Sequence, residues 1–368
     1  MPIRKTLGLA LALAIFLAPM GAEGQQERHS RRQRRGTADM VRVVTTQPPY
    51  ATFAKAIGGP LVSVLSISSP AQNPHTVRPK PSYAMEVRQA DLFVNTGLDM
   101  ELWVPTLLDR AGNRQVMEGG RGYVTAYTGV RLVDIPASTD RSQGEIHLYG
   151  NPHFHSDPLR ALQVARNITV GLKRVAPELT AEFDAGFADF QDRVHRRLFG
   201  DELVDMLGGE TLERMAYGGN LLSFLEENEL EGTPLISWLG GWMKATEQLR
   251  GRDLICYHKN WQYFEERFGV RCAEFVETKP GIPPTPAHVA HLLDLMEERN
   301  LRVILAADYF DRNKVESVAR RAGAISVMLP LALPVTEGAQ EYFEVVDLWI
   351  SRLVDAFESA DSLTAEEE

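Results

Sequence analysis

Three histidines of this chain lie in turn-like contexts that suit metal coordination. His75 and His153 each end an Asn-Pro-His triplet, and His258 directly follows the apolar run 254–257. Imidazoles that converge from separate segments form a ligand set that borderline metals such as zinc prefer. Magnesium and calcium would instead require carboxylate and carbonyl oxygens. The chemistry indicated is therefore transition-metal binding.

The elements that would position these histidines alternate between short β-branched runs and helical stretches. Strands are predicted at 41–46, 61–67, 92–94, 253–257, 270–276, 301–307 and 325–329, and helices at 50–57, 82–89, 260–267, 285–300, 311–323 and 342–357. This alternation predicts an α/β fold with mostly parallel sheets. In open sheets of this kind ligands bind beyond the carboxyl ends of the strands, where the three histidines are expected.

The middle of the chain has a different pattern. Apolar residues at 183, 187, 190, 194 and 198 follow helical spacing, and Gly200 supplies a stop. A helix of about 20 residues would span roughly 30 Å. We therefore expect two Rossmann-like lobes, at 40–175 and 201–368, joined by one long rigid helix at 176–200. The stretch 201–252 is less regular and contains Trp238 and Trp242.

The N-terminus has the features of a secretory signal peptide. A charged start is followed by an apolar run and then by small residues, which predicts a signal over 1–24. An arginine-rich leader follows at 25–39, and we interpret it as a disordered, solvated stretch. The sequence thus predicts an exported protein, most naturally periplasmic.

The net charge of the chain restricts the kind of partner it can bind. The chain has 39 Lys+Arg and 49 Asp+Glu, a formal net charge of −10, which argues against a nucleic-acid partner. We expect a monomer.

The two cysteines, Cys256 and Cys272, lie in strand-like stretches and are either disulfide-bonded or two buried thiols.

Several blocks of the sequence resemble the cluster A solute-binding proteins, the zinc and manganese receptors of ABC importers. The resembling blocks occur in matching order at 73–83, 89–97, 151–158, 257–264 and 267–269. The resemblance implies two α/β lobes with a cleft between them and a membrane permease as partner. It also implies that the metal is held by His75, His153 and His258.

The chain departs from the family pattern at the fourth ligand. The resemblance implies an aspartate in the last strand-to-helix loop, yet 325–334 contains no carboxylate. We expect Asp308 to be the substitute, with Glu277 or water as alternatives. The long acidic, His-rich loop of many relatives is missing, and its counterpart, 138–150, contains a single histidine, His147. We expect His147 not to be a ligand.

The predicted ion is Zn²⁺, and Mn²⁺ is the less favoured one. Manganese receptors of the family generally replace one histidine with a carboxylate, and position 258 is His here. A zinc-dependent hydrolase is the main alternative, because three histidines with an open fourth position also build a catalytic zinc site. No HExxH motif or evident general base supports it, so we predict a non-enzymatic receptor.

Overall fold

A computed structural model describes residues 40–135, 147–277, 282–332 and 341–367. The predicted signal segment (1–24), the leader (25–39) and most of the loop before Gly150 lie outside these residues. Within the described ranges, no helix combines the length and apolarity needed to cross a bilayer.

The first sheet contains four parallel strands in the order β2-β1-β3-β4. The strands are β1 (Val41–Thr45), β2 (Val62–Ser66), β3 (Leu92–Asn95) and β4 (Tyr123–Thr125). The helices of this part are α1 (Pro48–Gly58), α2 (Pro81–Arg88), α3 (Val104–Ala111) and α4 (Pro158–Val175). Every residue of β3 is buried, as expected for a parallel strand covered on both faces. We call these elements the first lobe.

The second sheet also has four parallel strands, in the order β10-β9-β7-β8. Its strands are β7 (Asp253–Cys256), β8 (Arg271–Phe275), β9 (Val303–Ala307) and β10 (Ile325–Leu329). The accompanying helices are α10 (Gln262–Phe268), α11 (Pro286–Glu298), α12 (Arg312–Arg321) and α13 (Glu341–Glu367). Side chains of Thr285 and Asp311 accept backbone N–H bonds at the starts of α11 and α12. These elements form the second lobe.

A helical region connects the two lobes. The long helix α5 (Thr180–Phe199) ends at Gly200, whose φ is 90°. Four short helices follow: α6 (Asp201–Leu207), α7 (Gly209–Gly218), α8 (Leu221–Glu227) and α9 (Gly241–Ala245). A small antiparallel hairpin, β5 (Glu229–Leu230) with β6 (Thr233–Pro234), lies between α8 and α9.

The predicted fold class is confirmed, since two parallel sheets covered by helices are present and a long helix, α5, lies between them in sequence. Sequence analysis missed β4, which has three residues and too short a β-branched run to be recognised. The disulfide alternative for the cysteines is the one observed, because Cys256 of β7 and Cys272 of β8 are bonded. The predicted domain boundaries remain a prediction, as residues from Val41 onwards cluster as one compact unit.

Candidate metal site

The two Asn-Pro-His triplets form the same local turn. The Asn73 side chain accepts a hydrogen bond from the backbone N–H of His75 at 3.0 Å, and the Asn151 side chain accepts one from His153 at 2.9 Å. An Asx turn of this kind fixes the backbone two residues after the Asn. Each triplet therefore holds its histidine in a defined position without a regular element.

His258 is positioned by the second sheet. It lies two residues beyond β7. Strand β7 pairs with β8 on one side and with β9 on the other. This is the switch point where open sheets form a ligand crevice. The Nδ1 atom of His258 lies 3.1 Å from Oε2 of Glu277, which directly follows Val276 at the end of β8.

Four histidines converge at this position: His75, His147, His153 and His258. One potential ligand atom from each lies within 4.8 Å of the others. All six distances between their ring centroids lie between 5.3 and 6.4 Å. A tetrahedral ion with Zn–N bonds of about 2.0–2.1 Å would hold four nitrogens about 3.3–3.4 Å apart. A modest contraction of the cluster would therefore complete a four-nitrogen shell.

Burial keeps the rings of His75, His147 and His153 in the neutral form that binds metal. The pKa of His75 is lowered to about 3, mainly by burial and secondly by the neighbouring His258. A hydrogen bond to the Met100 backbone has the opposite effect on this pKa. Burial and the adjacent histidines also lower the pKa of His147 and of His153 well below the usual range. One ring nitrogen on each of these three has no hydrogen-bond partner among the described residues. Neutral, unpartnered imidazole nitrogens are what a transition metal requires.

A buried carboxylate supports the loop that faces His75. Glu101 accepts hydrogen bonds from the hydroxyls of Thr46 at 2.7 Å and Thr96 at 2.5 Å, which tie it to the loops after β1 and β3. Burial raises the pKa of Glu101, while these hydrogen bonds lower it. Because Met100 precedes Glu101, the anchored carboxylate fixes the backbone that bonds the His75 ring.

Contacts between the lobes join the histidine-bearing turns. The Asn151 side-chain amide donates to the Lys259 carbonyl at 2.8 Å, and the Tyr263 hydroxyl donates to the Asn151 carbonyl at 2.6 Å. Nδ2 of Asn260 lies 3.4 Å from Nε2 of His153. The turn of His153 and the loop of His258 are thus bonded to each other independently of any ion.

The remaining ligand candidates lie outside this four-histidine group. Asp308 follows β9 as expected, but it is not among the clustered side chains of the described residues. Its Oδ1 atom is buried and has no hydrogen-bond partner within the described ranges, and burial raises the pKa of its carboxyl group. Glu277 reaches the ring of His258 and not the shared centre of the four histidines.

His147 is the residue that sequence reasoning excluded and that the geometry places in the cluster. Its ring stacks on that of His75, with centroids 5.3 Å apart and planes 9° from parallel. No Asn-Pro-His triplet or strand end marks it. The one indication in the sequence was its position six residues before His153, which is close enough for both side chains to reach the same site.

A family comparison agrees with this geometry. The model of the family described as ZnuA, zinc-uptake complex component A, periplasmic, matches residues 43–197 and 238–356. The chain belongs to the ZnuA family. The match confirms the resemblance to zinc-type solute-binding proteins, and it includes His75, His147, His153 and His258.

Individual ZnuA-like proteins are distant in sequence. The zinc-binding lipoprotein AdcA of Streptococcus pneumoniae strain R6 is 22% identical over 75% of this chain, which spans only 46% of AdcA. The high-affinity zinc uptake system protein ZnuA of Bacillus subtilis strain 168 is 20% identical over 89% of this chain and 88% of its own. A crystal structure of ZnuA, 19% identical, covers 86% of this chain and 99% of its own with a TM-score of 0.63. This last likeness supports the fold.

The family match is interrupted between residues 197 and 238. The 40 residues at 198–237, called the unmatched segment below, contain α6, α7, α8 and the β5–β6 hairpin. They fall largely within the irregular stretch 201–252 of the sequence analysis. The ZnuA pattern therefore continues on both sides of a local addition.

Proposed function

We propose that this protein captures Zn²⁺ outside the cytoplasmic membrane and delivers it to the permease of an ABC importer. The observation that carries the proposal is the convergence of His75, His147, His153 and His258. Four imidazoles form a closed tetrahedral shell of the kind that borderline metals occupy. Membership of a zinc-uptake family and the predicted signal segment support the location and the partner.

The ligand types favour zinc over manganese. The group of potential ligands in the described residues contains four histidines and no carboxylate. Manganese, as a harder ion, prefers sites with oxygen ligands. Copper and nickel bind histidine-rich sites at least as strongly, so the supply of metal outside the membrane sets what is loaded.

A four-histidine shell also argues against the hydrolase alternative. Catalytic zinc sites keep three protein ligands and leave a fourth position for water or substrate. With His147 as the fourth ligand, that position is filled. We therefore propose a receptor without enzymatic activity, and turnover of an ester or phosphate ester by the zinc-loaded protein would contradict this.

Elemental analysis tests the proposal directly. Mature protein purified without chelator should contain about one zinc per chain, as one tetrahedral cluster holds one ion. His153→Ala should lose the metal, while His291→Ala, on the exposed face of α11, should keep it. Stoichiometric zinc in His153→Ala would refute the site. Stimulation of the importer's ATPase by zinc-loaded protein, and not by His153→Ala, would test the delivery step.

A further inference from the structure

The unmatched segment packs as part of the protein core. Six leucines of the segment are buried: Leu198, Leu203, Leu212, Leu221, Leu225 and Leu235. Its helix α7 is tied to α5 by the pair His195–Glu213, with 2.8 Å between Nε2 and Oε2. Arg166 of α4 lies 3.9 Å from the same carboxylate. The position of α7 relative to the long helix is therefore fixed.

The C-terminal turn of α7 accepts hydrogen bonds from both lobes. Nη1 of Arg131 donates to the Tyr217 carbonyl at 3.1 Å, and Nη1 of Arg267 donates to the Ala216 carbonyl at 3.3 Å. Carbonyls in the last turn of a helix lack intrahelical partners and form the negative end of its dipole. The positively charged guanidinium groups of both arginines therefore interact favourably with this turn.

Each of these two arginines is close in sequence to a contact with a segment that carries a metal-site histidine. Arg131 lies two residues before Val133, whose carbonyl accepts the backbone N–H of Asn151, the first residue of the His153 turn, at 2.9 Å. Arg267 lies on α10, the helix that directly follows the His258 loop in the second lobe. The turn of α7 thus connects the His153 turn to the His258 loop.

Ion pairs that involve the same two arginines also connect the lobes. Arg267 Nε donates to Oδ1 of Asp157 in the first lobe at 2.8 Å, and Arg131 is paired with Glu266 of α10. Arg160 bonds both acids, at 2.6 Å to Asp157 and 2.8 Å to Glu266. Asp157 and Arg160 are fully buried, so removing a partner leaves an uncompensated charge. The network therefore resists separation of the lobes.

We propose that the C-terminal turn of α7 acts as a clasp that fixes His258 against the other three histidines, with Arg131 and Arg267 as positioning residues. The proposal rests on the zinc-capture function above. The turn of α7 lies outside the residues that match the ZnuA family model, so it is an addition to the pattern of that model. It provides a site preorganised for the ion before the ion arrives.

Arg131→Gln is the appropriate variant because the Arg131 side chain is 57% exposed, so its removal leaves the buried charges in place. Arg121→Gln is a matched control. Arg121 also donates to the last carbonyls of a helix, those of Arg174 and Val175 at 2.7 and 3.3 Å, but wholly within the first lobe. Zinc dissociation constants would be measured by chelator competition in the wild-type and His258→Ala backgrounds.

Arg131→Gln should weaken zinc binding about tenfold when His258 is present and less than twofold in His258→Ala, as expected for coupled positions. Arg121→Gln should have no effect in either background. Equal losses in both backgrounds, or no loss, would overturn the clasp. Tighter binding, expected if Arg131 acted only as a repelling positive charge, would overturn it as well. Failure of the wild type itself to bind zinc would instead refute the proposed function.

Discussion

Glu277 lies with its Oε2 atom 3.1 Å from Nδ1 of His258; the His258 side chain is buried, and that of Glu277 is 9% exposed. A carboxylate on one ring nitrogen fixes the tautomer and orientation of a histidine and leaves the other nitrogen for a metal. Glu277, which sequence analysis considered as a ligand, is thus placed to orient one.

Glu277→Gln should weaken zinc binding by about 10–100-fold, the usual effect of losing such a partner, because the amide supports the neutral tautomer less strongly. The measurement is chelator competition at neutral pH. Glu298→Gln, at the exposed end of α11, serves as the control. An unchanged dissociation constant in Glu277→Gln would show that the contact does not orient His258.

His147 and Asp308 can be distinguished as the fourth ligand. Because the His147 ring belongs to the cluster and Asp308 does not, His147→Ala should cost more affinity than the 10–100-fold typical of an outer partner. Asp308→Asn should change affinity little. Isothermal titration with zinc would measure both variants. A large loss in Asp308→Asn with none in His147→Ala would restore the assignment made from sequence.

The difference between these two residues shows how far the sequence predicts the site. His75, His153 and His258 were recognisable because Asn-Pro-His turns and strand ends place side chains at the carboxyl edge of a sheet. His147 lies on a loop, where no periodicity or turn motif defines the side-chain direction. Its inclusion depends on long-range packing between segments that are more than 70 residues apart in sequence.

The same limit applies to the fold. Alternating β-branched and helical stretches predicted both parallel sheets and the helix ending at Gly200, because each follows a local period. The turn of α7 that meets Arg131 and Arg267 could not be predicted. Its role depends on contacts between three distant segments, and the irregular sequence there has no strong pattern of its own.

His155 should make the metal-free protein sensitive to acid. Its burial lowers the pKa of the ring to about 4, and neither ring nitrogen has a hydrogen-bond partner among the described residues. The unfolded chain, with a histidine pKa of about 6.5, binds the proton first as the pH falls. The stability contributed by neutral His155 is therefore complete above pH 6.5 and lost as the pH falls towards 4.

Denaturant unfolding of the chelator-treated protein at pH 7 and pH 5 would measure this effect. His155→Phe should reduce the loss of unfolding free energy between the two pH values by about 2 kcal/mol. The other buried histidines continue to contribute in the variant. Identical pH dependence in the wild type and His155→Phe would mean that His155 does not remain neutral.

The Cys256–Cys272 disulfide should stabilise the second lobe. It closes a loop with a sequence separation of 16 residues, and a loop of about 15 residues corresponds to roughly 3 kcal/mol of lost chain entropy in the unfolded state. Replacing both cysteines with serine should lower the unfolding free energy by about that amount. Urea unfolding of the variant would test this, and an unchanged midpoint would contradict it.

The unequal exposure of the four histidines bears on how quickly an ion can enter and leave. His153, His258 and His147 are 0%, 4% and 8% exposed, whereas His75 is only partly buried. Water therefore approaches the cluster from the side of His75. An ion leaving by any other route must wait for the surrounding chain to open, so its residence time is governed by that opening and not by the strength of the metal–nitrogen bonds alone. We therefore expect displacement of the 73–77 turn to be the movement that lets a bound ion leave.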